Sequence, residues 1–418
     1  MSHNLFIGES NKAKSVSKIY LGSSSNIARC VKAVYIGDGD KKARLVWRSG
    51  LFKNSTTAAY VGTLGTGRNS LSAGSIGGCA IFAGGSTGST DQSNAVDSFN
   101  SNLTRTALSS LSYARSHAIP IRLSSYLIFA GNFHSKTHSN SMKVDAYNSR
   151  LTRTTVTSLP ESEGCGCLFD GNAIFAAFDS SNSSTSKGVV KYNTSLTRSK
   201  FGTLSIARKN ASACSIGDYV LIAGGMKISG YTAGQEATYK TVDAFNSSGT
   251  RISVSDMSSS RCYGIGLNDG AHAVFYLGIK YTAYSSGELR GSNVTTSDCY
   301  DSSLTRTSGY GAGRYCVGNY GTAITQGLPN YIIVGKNKEY GVFCSDTNSS
   351  SGNFIELDKL SNMSVRSKYF SMTGSASYGG CAMAIAGNYL IMAGGYHNSA
   401  YSNKVHIAEF ENFPPYIT

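Results

Sequence analysis

The sequence predicts an all-β protein, a seven-bladed β-propeller preceded by a small N-terminal β-hairpin repeat module. Three observations point there. Gly (47) and Tyr (26) are abundant, Pro (5) is scarce and only 15% of residues are charged, with Ser, Thr and Asn between short apolar runs. That is the chemistry of strands and turns. The first 47 residues repeat with a period of 14 to 15, and the rest with a period of 45 to 53. A chain of 418 residues is long enough for one large closed architecture with an appendage.

The short period comes first. An aromatic or apolar triplet ending in glycine recurs at Gly8, Gly22 and Gly37, each followed by a polar turn and a second apolar stretch. This predicts three hairpins, ending at Trp47, the only tryptophan, with a linker after it. The predicted organisation is a hairpin module over residues 1–50 and a propeller over 51–418.

In the longer period, an arginine preceded by small or polar residues marks each repeat: Arg68, Arg115, Arg208, Arg261, Arg314 and Arg366, with Glu163 in the remaining slot. The steps are 47, 48, 45, 53, 53 and 52 residues, and seven slots predict seven blades. After each slot comes an apolar run bounded by turn residues, at 81–85, 126–131, 173–177, 219–225, 273–278, 331–335 and 389–395. Runs this short predict second strands buried between neighbouring blades. Third strands follow as VDSFN, VDAYN, VVKYN, VDAFN and DCYD, with weaker versions at VFCSD and VHIAEF. Fourth strands carry LTRT or a relative of it. Four of these motif arginines (105, 153, 198 and 251) lie ten residues before the next slot.

This pattern resembles the Kelch repeat: an arginine, a small-residue inner strand, an apolar strand ending in Gly-Gly, a strand ending near Tyr-Asp, and an outer strand. The resemblance covers residues 56–410 and departs from the family where the outer strand normally carries Trp, a place taken here by Leu-Thr-Arg. After residue 410 the chain holds two adjacent prolines, which suit no central strand. The last blade therefore lacks an outer strand, and residues 56–61 are expected to supply it and close the ring.

The N-terminus lacks a basic, then apolar, signal pattern, and no run approaches 18 apolar residues; the expectation is a soluble chain made in the cytoplasm, with no membrane insertion. Ten cysteines without a CxxC pair are read as buried free thiols, among them Cys79, Cys214 and Cys381. The formal charge of +14 favours a polyanionic partner. Basic residues are spread over all repeats with no run of five, which argues against nucleic acid.

Catalytic motifs are scarce. His134 and His138 share one loop, but a solvated loop accounts for them as well as a metal site does. No nucleophile elbow, Walker loop or zincin motif occurs, and one Trp is incompatible with the repeated boxes of sialidases. No cofactor is expected and no catalytic residue is nominated. In Kelch binding modules residues beside the slot line one mouth of the channel. The resemblance thus implies a basic ring of Arg68, Arg115, Arg208, Arg261, Arg314 and Arg366, interrupted by Glu163, with Tyr113, Tyr263, Tyr315 and Tyr369 nearby. Such a ring suits an anionic cell-surface glycan. The alternative is that each arginine ties blades together through backbone carbonyls. Two long connections, 225–241 and 280–297, add Tyr231, Tyr239, Tyr281 and Tyr284 as candidate contacts, since recognition concentrates in loops on rigid scaffolds.

The hairpin repeats KIYLG, ARCVKAVYIG and KKARLVW resemble short N-terminal segments of tail-associated proteins of phages and prophages of Gram-positive bacteria. That resemblance implies a non-enzymatic structural and binding protein of a phage tail or tailocin-like virion particle. Residues 1–47 would contact tail proteins, the propeller would contact a host surface polymer or a neighbouring virion protein, and a homo-oligomer is in keeping with such particles. A carbohydrate-active enzyme and a cytoplasmic Kelch adaptor are the alternatives.

Overall fold

The structure, a computed structural model, describes residues 57–309 and 381–410 apart from short breaks at 89–90, 132–141, 163, 181, 231, 277, 284–288, 295 and 398–399. Outside those stretches it describes only the backbone of strands.

The chain forms seven sets of four strands, five as separate antiparallel sheets and two joined into one eight-stranded sheet. Blade 1 consists of Ser72–Ile76, Cys79–Ala83, Val96–Phe99 and Arg105–Ala107, from the inner to the outer edge. Blades 2 to 5 repeat the order, with inner strands Ile119–Arg122, Cys165–Phe169, Ser212–Ile216 and Ile265–Asn268. From blade 1 to blade 5 each inner strand packs against the next, and the inner strand of blade 7, Ala382–Ala386, packs against that of blade 1. The sheets thus stand around a common axis as a propeller.

The second strands show why the sequence repeats as it does. In blades 1 to 5 and 7 the first residue is half-buried and the following four are buried. Both faces of each strand pack against a neighbouring blade, so the run must be apolar throughout rather than alternating. The cores confirm it: Ile81 and Val96 of blade 1 pack with Leu127, Phe129 and Tyr147 of blade 2, and Ala384 and Ile391 of blade 7 pack with Phe82 and Phe99 of blade 1.

The LTR motif is a turn device. Asn100 Oδ1 accepts from the backbone N–H of Asn102 and Thr104 at 3.0 Å each, and Asn148, Asn193, Asn246 and Asp301 do the same in their blades. The residue between is left-handed: Leu103, Leu151, Leu196 and Leu304 have φ of 61 to 63°, and Gly249 has φ 80°. A leucine is strained there, but each of the four packs against the core between blades, which offsets the strain.

Closure follows from one strand. Thr57–Thr63 runs antiparallel to Lys404–Glu409 as the outermost strand of blade 7, with Lys404 opposite Thr63 and Ile407 opposite Ala59. It also pairs in parallel with Arg366–Met372, which joins blades 6 and 7. Blade 6 differs from the sequence reading. Tyr331–Val334 stands at its inner edge rather than second, and Tyr340–Cys344, read as a third strand, pairs beside it as the second. A short apolar run does not by itself say which place in the sheet it takes.

In the N-terminal segment Phe6–Glu9 pairs with Lys12–Ser15, Ile19–Gly22 with Ala28–Val31, and Ala33–Gly37 with Ala43–Arg48, three two-stranded sheets. The seven cysteines among the described residues are free thiols; burial raises the pKa of Cys165 to about 12.

Candidate functional site

Four of the slot arginines are inside the blades. Arg68, Arg115 and Arg208 are 0% exposed and Arg261 is 2% exposed, so they form no solvent-facing ring and are not ligand contacts. Each lies four residues before an inner strand, which turns its side chain under the blade toward the aspartate of the third strand. Arg115 Nη2 donates to Asp145 at 2.8 Å and to the Phe129 carbonyl at 3.0 Å. Arg208 holds Asp243, Arg261 holds Asp298, both at 2.8 Å, and Arg68 ion-pairs with Asp97.

The second oxygen of each aspartate meets the arginine of the LTR motif on the adjoining strand. Arg153 pairs with Asp145 and Arg306 with Asp298 at 2.8 Å, Arg105 with Asp97 at 2.6 Å, and Arg251 reaches Asp243 at 3.7 Å. A backbone N–H three residues before the slot completes the set: Gly65 to Asp97, and Ser112, Ser205 and Ser258 to the others, with the three serine hydroxyls also donating. Burial lowers the pKa of Arg68 and Arg115, and the paired aspartates oppose that. A buried charge needs such partners.

The alternative reading of the arginines holds in a modified form. Their backbone carbonyls do tie blade to blade: Gly85 N–H donates to Arg115 O, Gly225 to Arg261 O and Gly395 to Arg68 O, at 2.8 to 2.9 Å. Their guanidinium groups clamp their own blade. Glu163 and Arg314 lie outside the described residues. Arg366 is not a slot residue: it begins the strand Arg366–Met372 in blade 6, sixteen positions before the inner strand Ala382–Ala386.

Blade 3 lacks the aspartate of the clamp but keeps the motif arginine, and Arg198 donates instead to the Ser158 carbonyl. Its third strand, Gly188–Tyr192, has Val190 where the others have aspartate. In blades 1, 4 and 5 this position after the second strand is glycine, and a Cβ on Gly85, Gly225 or Gly278 would come within 2.6 to 2.9 Å of a backbone carbonyl next to the slot. Blade 3 has Phe178 there, 0% exposed and packed against Gly164, beside the slot. Val190 and Phe178 thus bring buried apolar side chains to the places that hold Asp243 and Gly225 in blade 4.

Around the axis, the residues two after the slot, Ser70, His117, Asn210 and Tyr263, are all left-handed with φ of 52 to 55°. They join neighbouring blades: His117 N–H donates to Ser70 O and Tyr263 N–H to Asn210 O at 3.0 Å, and Asn210 Nδ2 donates to the Tyr263 hydroxyl at 2.8 Å. Burial lowers the pKa of His117 to about 4, so its imidazole is neutral at pH 7.

The two long loops meet each other. Ile279–Ala283 and Leu289–Asn293 form a hairpin. The segment around Glu236 pairs along it, with Ala237 N–H donating to Tyr281 O at 2.8 Å and Ala283 N–H to Gln235 O at 3.0 Å. Tyr281, expected as a ligand contact, is 3% exposed in a core with Met226, Ala237, Cys262 and Ile279. Pairing of two segments read as separate loops buries it. Tyr239 is half-buried, and Tyr231 and Tyr284 lie outside the described residues, as do His134 and His138. Lys280 ion-pairs with Glu236, and this contact with the Ser260 hydrogen bond (2.8 Å) lowers the carboxyl pKa.

A second, smaller layer lies over the seam between blades 7 and 1. Tyr396–His397 and Ala400–Tyr401 form a short hairpin that places Tyr396 opposite Tyr401, with Tyr396 40% exposed. The sequence reading passed over this pair; the signal available was a pair of tyrosines flanking an Asn-Ser turn.

No family model and no curated protein matches the chain. Among solved structures it is similar to that of YjhT, with a TM-score of 0.43 and 12% identity over 84% of this chain and 96% of that one. No function passes across at that distance. What the described blades themselves establish is where charge is spent: the buried aspartates 97, 145, 243 and 298 are all committed to holding strands.

Proposed function

We propose that the chain is a non-enzymatic binding protein of a phage tail or tailocin-like particle. In this reading the N-terminal hairpins dock to neighbouring particle proteins, and the loop face of the propeller contacts a polymer of the host surface. The observation that carries it is the division of labour in the blades. Ionic side chains repeat inside, where they hold the sheet, while the sequence varies in loops that are built into an ordered layer on a rigid scaffold. The hairpin module supports the particle half of the reading, because two-stranded hairpins are marginal alone and gain from a neighbouring surface.

Binding to an anionic polymer draws on the +14 formal charge rather than on Arg68, Arg115, Arg208 and Arg261, which are buried. The test is sedimentation of the full chain and of residues 51–418 with particles and, separately, with host cell walls. The expected result is that the full chain alone stays with particles while both forms bind walls. Equal retention of both forms on particles, or no wall binding by either, overturns the reading. Release of reducing sugar from the walls would replace it with an enzyme.

A further inference from the structure

We propose that the outer edge of blade 3 is a docking surface for a linear polymer whose charge is carried by phosphate, held by Arg198 and Lys200 on the edge strand with Lys191 beside them. This rests on the surface-polymer reading above: it names the chemistry of that polymer and adds a contact on the rim of the ring.

The first support is a charge left uncompensated. From third strand through outer strand, blade 1 carries one cation and one acid (Arg105 and Asp97 in 96–107), blade 4 one of each (Arg251 and Asp243 in 242–252), and blade 5 one cation and two acids (Arg306, Asp298 and Asp301 in 298–308). Blade 2 carries two cations and one acid (Arg150, Arg153 and Asp145 in 144–156). Blade 3 carries Lys191, Arg198 and Lys200 over 188–203 and no acid. The cause is structural. In the other four blades the motif arginine ion-pairs with the third-strand aspartate. In blade 3 Val190 stands in that place, and Arg198 donates to a neutral group, the Ser158 carbonyl. The motif arginine is kept here without the partner that neutralises it elsewhere, so its charge is left to act outside the blade.

The second support is placement. Arg198–Thr203 is the outermost strand of blade 3 and, at six residues, the longest outer strand of blades 1 to 5. The register sets Tyr192 opposite Arg198 and Val190 opposite Lys200, so the two cations share one face of the edge, about 6.5 Å apart along the strand. Lys200 is exposed and Arg198 half-buried. Lys191, opposite Ser199, lies on the other face with its Nζ 5.6 Å from the centroid of the Phe201 ring. Three positive charges thus bracket one strand edge, an arrangement suited to a linear polyanion.

The edge also selects among polyanions. Its aromatic rings are covered, Tyr192 being 0% and Phe201 9% exposed, so neither offers a platform on which a nucleobase or a sugar ring stacks. Two of the three cations are lysines, compact point charges suited to phosphate, whereas a planar carboxylate is matched best by arginine forks.

The test is fluorescence anisotropy of the full chain with end-labelled linear polyphosphate over a range of salt concentrations, beside polyglutamate and single-stranded DNA of equal charge. Polyphosphate is expected to bind tightest, with log K falling against log salt at a slope of about −2, three contacts at about 0.7 each. Lys200→Gln is expected to weaken binding several-fold and to flatten the slope by about 0.7, while Lys200→Arg retains both. Lys404→Gln, which removes the same charge from an exposed position in blade 7, should leave the slope unchanged. Equal effects of Lys200→Gln and Lys404→Gln, or tighter binding of polyglutamate or DNA, overturn the site. So does a Lys200→Gln protein that aggregates at unchanged affinity, since Lys200 would then be a guard of the exposed strand edge. Wall binding that survives in the Arg198→Gln, Lys200→Gln double variant sinks the site and leaves the wider reading standing. Polyphosphate binding at this edge without wall binding sinks the wider reading and leaves the site.

Discussion

Blade 4 offers a clean test of the clamp, because its outer arginine is loose. Asp243 is held by Arg208 at 2.8 Å and by Ser205, while Arg251 stands off at 3.7 Å and is 46% exposed. Asp243→Val leaves Arg208 buried with only the Ile222 and Ile206 carbonyls. Removing one partner of a buried pair costs about 3–5 kcal/mol. Arg208→Met strands Asp243 in the same way, at about 3 kcal/mol, softened by the Ser205 N–H and hydroxyl. The double variant removes both charges and leaves one Ser205 N–H without its acceptor, at about 1–2 kcal/mol. The expected coupling energy is therefore at least about 3 kcal/mol. Urea titrations of the four proteins, read by far-UV circular dichroism and compared at equal m-values, measure it. Additive single effects, with coupling below about 1 kcal/mol, would refute the claim that these residues act as one ion-paired unit. Blade 3, with Val190 buried where the clamped blades carry aspartate, is the natural precedent for loss of the carboxylate.

Three further outcomes are expected. Deleting residues 1–66 removes Thr57–Thr63, exposes the edge of Lys404–Glu409 and should lower the melting temperature sharply, whereas deleting 1–50 should not; equal melting of the two truncations would sink the closure argument. His117 has its pKa lowered to about 4 by burial, so the native state resists protonation. Stability is then full above the unfolded value of about 6.5 and is lost as pH falls from there toward 4, by up to about 3 kcal/mol. His117→Asn, which places there the residue found at Asn210, should flatten the profile between pH 7 and 4, and an unchanged slope would contradict it. Gly249→Ala should destabilise blade 4 by more than about 1 kcal/mol, since its Cβ would run into the Phe201 carbonyl, although leucine occupies the same turn position in four other blades; a thermal melt equal to the wild type would count against that geometry.

Much of the fold was legible because propeller strands are local objects. The second strands are apolar at every position since both faces are buried, and the LTR turns repeat because an Asx side chain and one left-handed residue suffice to make them. These signals sit within a few residues of each other, so they survive in one dimension. The misplacement of Tyr331–Val334 has the opposite cause: its apolar character is compatible with two positions in the sheet.

The site was less legible. The recurrence of Arg68, Arg115, Arg208 and Arg261 was plain in the sequence, but their partners lie 29, 30, 35 and 37 residues away across loops of unequal length. A repeated arginine reads the same whether it faces solvent or an aspartate. Tyr281 looked like a loop residue until the 225–241 segment closed over it.

By itself, then, the sequence determined the strand alternation, the turn chemistry and the number of blades, all of which depend on neighbours along the chain. The tertiary structure alone decided which charges are buried and which loops become core. Those depend on side chains that meet only when the ring is closed, and the energy of a charge or an aromatic ring is set by what surrounds it rather than by its place in the repeat.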